Sequence, residues 1–358
     1  MTASRVRRRG DLPACTVALI LSGGVRDFHM TATSMVRHLI TPFSASDVCL
    51  FLRTLLDPDA HKLRVLLHLP LLHIAVIQVD KAPVQTRLMH QSVRILQADQ
   101  ANRSAQELLQ LEDAQRWVEV FEAQRKQRFQ LVIRARFDSY WSGPIPRALV
   151  IHAMSMDNAT YIVPKGKTFR GLNDRLGLSS STVASIVNKR ASMLEQWPPS
   201  EPTQWNSEQW LNITVARHAI TPQRILNLPF CLLVKRKCRC CMAVNHCTRS
   251  GNKCRPCSEQ DERAQRANRS YELSPQWPAN YAERFDATVP AQDAAMRQRV
   301  ERQIDLATCR HELTELTSRS WMRAPANIDD VCRLAHAEHC LFDANLGRWV
   351  GNGCYLNV

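Results

Sequence analysis

The run Arg134-Ala-Arg-Phe-Asp138 places two guanidinium groups and a carboxylate at the end of an apolar segment, Phe129-Gln-Leu-Val-Ile. Alternation along a strand puts Arg134, Arg136 and Asp138 on one face, with Ala135 and Phe137 opposite. Such a trio suits a phosphorylated ligand. Guanidinium forks match phosphate oxygens, and the carboxylate can hold Mg²⁺ or Mn²⁺ bridging them. A structural Arg–Asp ion pair uses the same residues. Upstream, Ser22-Gly23-Gly24-Val25-Arg26 follows a second apolar run. Its glycines let backbone N–H groups approach a nucleotide, and Arg26 adds charge. The turn lacks the third glycine of the dinucleotide fingerprint and the Gly-Lys-Ser/Thr of a P-loop, so an ordinary strand-to-helix turn is the alternative.

Two more carboxylates are candidates for acid–base work. Gly171-Leu-Asn-Asp-Arg175 is a glycine-bounded loop, where polar side chains can face a cleft. Asn173 and Arg175 are expected to touch the nucleotide or its diphosphate. Asp174 is expected to act as general base on an acceptor hydroxyl or to hold a donor sugar. Loop capping is the plainer use of Asn173 and Asp174. Glu208 follows Asn206 and Ser207, either of which can cap a helix. It is a second candidate base, and first-turn dipole chemistry also accounts for it.

These side chains need a frame. Apolar runs predict strands over 16–21, 48–52, 74–79, 129–138, 161–164 and 230–234, and helical spacing predicts helices over 30–39, 55–69, 104–128, 180–194 and 208–219. Strands alternating with helices make the front of the chain α/β, with a mainly buried sheet flanked by helices. Charge at the carboxyl end of a core strand then marks a site.

Composition agrees with a folded chain. The 358 residues are 45% hydrophobic and 22% charged, which excludes global disorder, a collagen-like chain and a coiled-coil rod. Lys and Arg number 47 against 33 acids, a net charge of +14. The apolar run 63–79 is interrupted by Arg64, His68, Pro70, His73 and Gln78, so no transmembrane helix is expected. Arg5, Arg7, Arg8 and Arg9 before an apolar stretch imitate half a signal peptide, but Ser22 to Asp27 stand where a cleavage site belongs. The reading divides the chain into a basic tail at 1–14, a domain at 15–235 and a Cys-rich, loop-rich region at 236–358.

Of the 13 cysteines, Cys15 and Cys49 stand apart, and the rest fall between Cys231 and Cys354. Cys254-x2-Cys257 with Cys238, Cys240 or His246 offers ligands for Zn²⁺, but the spacing matches no standard finger. Adjacent Cys240 and Cys241, with Cys309, Cys332, Cys340 and Cys354, favour disulfides in an oxidising compartment. Sequons at Asn102, Asn158, Asn212 and Asn268 permit the same compartment, so the secretory pathway or Golgi lumen is expected, although no clear signal or anchor is legible. The basic stretch Lys235-Arg-Lys-Cys-Arg239 has no interleaved aromatics, and a solvated loop explains it better than a nucleic-acid surface.

Taken in order, several of these segments resemble an uncharacterised glycosyltransferase-like family best known from plants. They are Val17-Ala-Leu-Ile-Leu-Ser-Gly-Gly-Val-Arg26, Leu131-Val-Ile-Arg-Ala-Arg-Phe-Asp-Ser-Tyr-Trp141, Gly171-Leu-Asn-Asp-Arg-Leu-Gly177, Asn206-Ser-Glu208, Leu228-Pro-Phe-Cys231 and Ser250-Gly-Asn-Lys-Cys-Arg-Pro-Cys257. A weaker echo, His339-Cys-Leu-Phe-Asp-Ala-Asn-Leu-Gly-Arg-Trp349, extends toward the end. The resemblance implies a GT-A-like, Rossmann-type mixed sheet binding a nucleotide sugar. A strand-end acidic motif of that fold normally holds a divalent metal on the donor diphosphate, and Asp138 is the matching position. The usual motif has two acids separated by one residue. Here Arg136-Phe137-Asp138 lacks the first, which leaves Arg134 and Arg136 to neutralise the diphosphate directly. A comparable Asp in related bacterial polysaccharide transferases points to Asp174 as the acceptor base.

The expected activity is sugar transfer from a nucleotide-sugar donor to a glycan or protein acceptor, with Mn²⁺ or Mg²⁺ as the candidate cofactor. The alternative is a glycan- or partner-binding protein that keeps the fold without the chemistry. A zinc-dependent nucleic-acid binder centred on Cys238 to Cys257 leaves the front domain without a role.

Overall fold

The computed structural model describes residues 12–80, 101–232 and 306–350, except for 27, 44–46, 58, 70–72, 142, 156–158, 166–169, 198–204, 226–227, 229, 323, 325, 339–340 and 344–347. Strands with apolar residues on both faces need cover on both. That condition organises the fold. β1 (Val17–Ser22) is buried at every position, β2 (Val48–Leu55) and β4 (Leu131–Arg136) at all but the last, and β3 (His73–Asp80) at five of eight. Val17, Leu19 and Leu21 face one side with Leu131, Ile133 and Ala135, meeting Phe28, Ala32 and Met35 of α1 (Phe28–Met35). Ala18, Ile20 and Val132 face the other, under Leu111, Ala114, Val118 and Phe121 of α2 (Ala101–Arg125).

After β4 come β5 (Ser139–Trp141), α3 (Arg147–Ser155), β6 (Thr160–Pro164), β7 (Leu176–Ser179), α4 (Ser181–Asn188), α5 (Arg190–Glu195), α6 (Ser207–Arg217), β8 (Thr221–Ile225) and β9 (Phe230–Leu232). The main sheet has seven strands in the order β3-β2-β1-β4-β7-β6-β8. β2 and β4 run parallel to β1, β3 runs parallel to β2, and β7 is antiparallel to β4 and β6. This is the expected α/β architecture, a mixed sheet flanked by helices. The chain walks outward from β1 to β3 and returns as β4 on the other side of β1. The strand order therefore reverses between β1 and β4, where such sheets open a crevice beyond their carboxyl ends. Because β7 enters antiparallel, with Leu176 opposite Ala135, the loop 171–175 reaches that same end.

Several expectations change in detail. β2 runs on to Leu55, and the helix expected over 55–69 is a 3₁₀ helix, Ala60–His68. The helix expected over 180–194 is two, α4 and α5, broken at Lys189. β4 stops at Arg136, two residues short of Asp138. Cys15 and Cys49, far apart in sequence, form a buried disulfide between the entry to β1 and its neighbour β2.

Two described helices of the C-terminal region pack onto the sheet domain. α7 (Leu306–Ser318) and α8 (Ile328–Glu338), joined by Cys309–Cys332, place Leu313, Leu316, Val331 and Ala335 in the same core cluster as Leu63 and Leu66. Between these helices the chain lies along β3. Trp321 and Met322 donate backbone N–H groups to Ile74 and Ala75 carbonyls at 3.0 and 2.8 Å, and Asn327 donates to Val79 at 3.1 Å. β10 (Leu341–Asp343) and β11 (Arg348–Val350) form a separate hairpin. The proposed zinc ligands Cys238, Cys240, His246, Cys254 and Cys257 lie outside the described residues. Among the described residues no helix is long and apolar enough to cross a membrane.

Candidate functional site

β1 delivers Ser22-Gly23-Gly24-Val25-Arg26 to the crevice. Arg26 has φ +47°, a left-handed conformation that side-chain-bearing residues adopt sparingly. Its guanidinium turns onto Asp138, Nη1 donating to Oδ2 at 2.8 Å. Strand alternation alone does not carry Asp138 to this point, because β4 has ended. A turn at 137–138 folds the carboxylate back, and Arg136 grips it with a fork, Nε to Oδ1 at 2.9 Å and Nη2 to Oδ2 at 3.0 Å. Phe137 pins that turn by packing edge-on against Phe28, and Thr31 donates its hydroxyl to the Phe137 carbonyl.

Asp138 is only 2% exposed. Burial alone raises a carboxyl pKa, but Arg136 and Arg26 outweigh it and hold Asp138 below the ordinary carboxylate range. Burial likewise opposes the charge on Arg136, but Asp138, Glu107 and Asp174 hold that guanidinium above its usual value. In this arrangement the donor set at Asp138 does not suit Mn²⁺ or Mg²⁺. Both oxygens already accept from guanidiniums, and two cations stand within hydrogen-bond distance of where a dication would bind. Among the described residues no three His, Cys, Asp or Glu side chains cluster as metal ligands.

The second half of the site is built by α6 and the loop before β7. Asn206 caps α6 reciprocally with Gln209, fixing the helix start. Leu172 donates its backbone N–H to the Glu208 carbonyl at 2.9 Å, and a Cβ at residue 171 would lie 2.0 Å from that carbonyl oxygen, so only glycine fits there. Loop and helix are thereby clamped together. Within the loop, Asn173 is buried and accepts the Arg175 N–H at 3.0 Å, the capping role foreseen for it.

Asp174 and Glu208 face each other electrostatically, with opposite outcomes. Burial pushes Asp174 up, but Arg134, Arg190 and Arg136, together with a Ser207 hydrogen bond, keep it below the usual carboxylate range. For Glu208 the compensation, from Ser207 and Arg175, is outweighed. Burial and the Asp174 charge push it up to about 7, against the Ser207 hydroxyl, which donates to Oε2 at 3.1 Å. One acid stays ionised while its neighbour titrates near neutrality, as general acid–base work requires. Burial also lowers the Arg175 pKa.

The structure thus gathers Gly23, Gly24, Arg26, Arg134, Arg136, Asp138, Asn173, Asp174, Arg175 and Glu208 at one edge of the sheet. Glu107, Arg190, Tyr161 and Asp57 join them without having been read from sequence. Asp57 follows β2, and its Oδ2 would lie 3.6 Å from a Cβ on Gly24. Burial, then Asp59, raises it to about 6. The rule that drew attention to Asp138, an acid just past a core strand, applies equally to Asp57. Glu107, Arg190 and Tyr161 carry no local signal, since only the packing of α2, α5 and β6 brings them here.

Fold and site together define an α/β domain with a cluster of mostly buried charged side chains at the reversal of strand order. Residues 13–273 match the family model described as Domain of unknown function (DUF7796), and the chain belongs to that family. No curated protein matches.

Proposed function

We propose that the protein transfers a sugar from a nucleotide-sugar donor to a glycan or protein acceptor. One observation carries this reading. At the reversal between β1 and β4, a glycine turn, an Arg26–Asp138–Arg136 clamp and a carboxylate pair with divergent proton affinities converge. The nucleotide lies on the glycine turn. The acceptor oxygen bonds to the anomeric carbon, the bond from that carbon to the diphosphate oxygen breaks, and the electron pair leaves with the diphosphate. Arg136, with Arg175, stabilises the departing charge. Glu208 accepts the acceptor proton, and Asp174 is the weaker base because its cationic neighbours keep it ionised. No step is routed through a metal ion, since the carboxylate that would hold it is occupied by guanidiniums.

The two disulfides among the described residues suit a secreted or lumenal protein, and the Golgi lumen is the compartment we propose. The full occupation of Asp138 favours a second reading, a glycan- or partner-binding protein that keeps the crevice but does no transfer. The zinc-dependent nucleic-acid reading gains no support, since its ligands lie outside the described residues.

Thermal denaturation with nucleotide sugars, with and without Mn²⁺, tests the first reading. A shift is expected with at least one donor without Mn²⁺, and Asp138→Ala removes it. Release of free nucleoside diphosphate in the presence of acceptor glycans separates transfer from binding. Binding without release establishes the second reading, and no shift with any donor removes the first.

A further inference from the structure

Two buried arginines beside β7 keep N–H groups without partners. Arg134 is 8% exposed and Arg190 1%. The Nε and Nη1 groups of Arg134 and the Nε of Arg190 have no hydrogen-bond partner. Asp174 attracts both, Glu107 also attracts Arg190, and the Nη1 of Arg190 donates to the Val187 carbonyl at 3.1 Å. The two arginines also repel each other, and burial together with Arg134 pulls Arg190 down to about 10.

The strand beside Arg134 offers it nothing, because its partner in the β4–β7 ladder is Gly177. A Cβ on Gly177 would lie 1.9 Å from the Tyr161 hydroxyl, so the missing side chain makes room for that group. The Tyr161 hydroxyl is itself buried and unpaired. Arg134, Arg190 and Tyr161 therefore bring unpaired donors to one spot beside β7. Buried donors in native proteins are ordinarily satisfied, and leaving them without partners is unfavourable. A bound anion would supply what is missing.

The position of this cluster along the sheet indicates which part of a ligand meets it. The glycine turn lies on β1, the Asp138 clamp at the end of β4, and the cluster one strand further on, between β4, β7 and β6. A nucleotide sugar laid from β1 toward β7 meets these in the order nucleoside, diphosphate, sugar. Resting on the transferase reading above, we propose that Arg134, Arg190 and Tyr161 form a subsite for a carboxylate on the donor sugar, making the donor a nucleotide-linked uronic acid. Planar guanidiniums match a planar carboxylate, and Tyr161 adds a neutral donor. Arg134 and Arg190 act here as specificity-determining residues.

The test is calorimetric binding of UDP, GDP and CDP, then of the uronate and neutral hexose forms on whichever nucleotide binds, UDP-glucuronate against UDP-glucose in the first instance. The uronate form is expected to bind at least about tenfold more tightly than the hexose, typical of a charge-assisted contact. Arg190→Met should erase that preference while leaving the affinity for the bare nucleoside diphosphate within about twofold. Tyr161→Phe, which removes only a hydroxyl, should reduce it in a variant that keeps the core volume.

Equal binding of the two sugar forms overturns the uronate subsite and leaves the transferase reading standing. A loss of bare diphosphate affinity in Arg190→Met as large as the loss for the uronate form also overturns it, by assigning the arginines to the phosphates. Failure of all three nucleoside diphosphates to bind removes the transferase reading and this inference with it.

Discussion

Arg53 and Arg190 are buried to the same degree in the same domain, and their surroundings are opposite. Arg53, on β2, is over-matched. Its Nη2 lies 2.6 Å from Asp80, its Nε donates to Asp113 at 3.3 Å, and its Nη1 donates to the Thr54 carbonyl at 2.7 Å. Arg190 and Arg134 share Asp174, and Arg190 draws on Glu107 as well, yet both keep N–H groups unpaired. A second matched pair, Arg64 with Glu312 at 3.2 Å, ties the 3₁₀ helix to α7. Where charge holds elements together, each cation has its acid. Where β4 and β7 meet, Arg134 and Arg190 keep N–H groups without partners, and it is there that we propose a ligand binds.

That contrast can be broken first at Arg53. Arg53→Ala strands Asp80 and Asp113 and should cost about 3–5 kcal/mol in urea denaturation. A loss below about 1 kcal/mol would mean that the β2 network is not structural. Next in size, Asp138→Asn removes the charge shared by Arg26 and Arg136 and should cost about 2 kcal/mol, measured the same way. The same change should weaken nucleotide binding at least about tenfold in calorimetry, whereas Arg53 variants that still fold should bind normally.

Glu208 sharpens the comparison through pH. Its folded pKa is raised from about 4.5 to about 7, so the folded state favours the protonated acid. Its contribution to stability is full below the unfolded value and is lost as pH rises through about 7. Glu208→Gln should therefore match the parent near about pH 4 and exceed it by about 2 kcal/mol near about pH 8, read from denaturation midpoints at each pH. With Glu208 as base, turnover should rise with pH through about 7, and the Gln variant should lose that limb. Smallest of all, Arg190→Met should change stability by no more than about 1 kcal/mol, in either direction, because it removes a poorly matched buried cation. A loss as large as that of Arg53→Ala would erase the distinction between the two networks.

Much of the frame was legible because strands buried on both faces write continuous apolar runs, as β1 and the middle of β4 do. The helix break at Lys189 was not, since 180–194 keeps helical spacing across it. The disulfide between Cys15 and Cys49 depends on the parallel pairing of β1 with β2, which no local spacing encodes. At the site, residues on the turns beyond β1 and β4 and before β7 were readable from type and neighbours. The contact between Arg136 and Asp138 was expected from strand alternation, yet it arises from a turn held by Phe137. Arg190 and Tyr161 were beyond reach: one begins a short helix, the other lies in an apolar strand, and only tertiary packing sets both beside Arg134.

The strip of chain at 321–327 has a practical corollary. The family match stops at residue 273, before that strip begins. A fragment cut there keeps every group at the crevice but bares the carbonyls of Ile74, Ala75 and Val79 and the apolar flank of Leu63 and Leu66. An open strand margin beside a greasy patch invites self-association, so a fragment ending at residue 273 is expected to precipitate when made without α7 and α8.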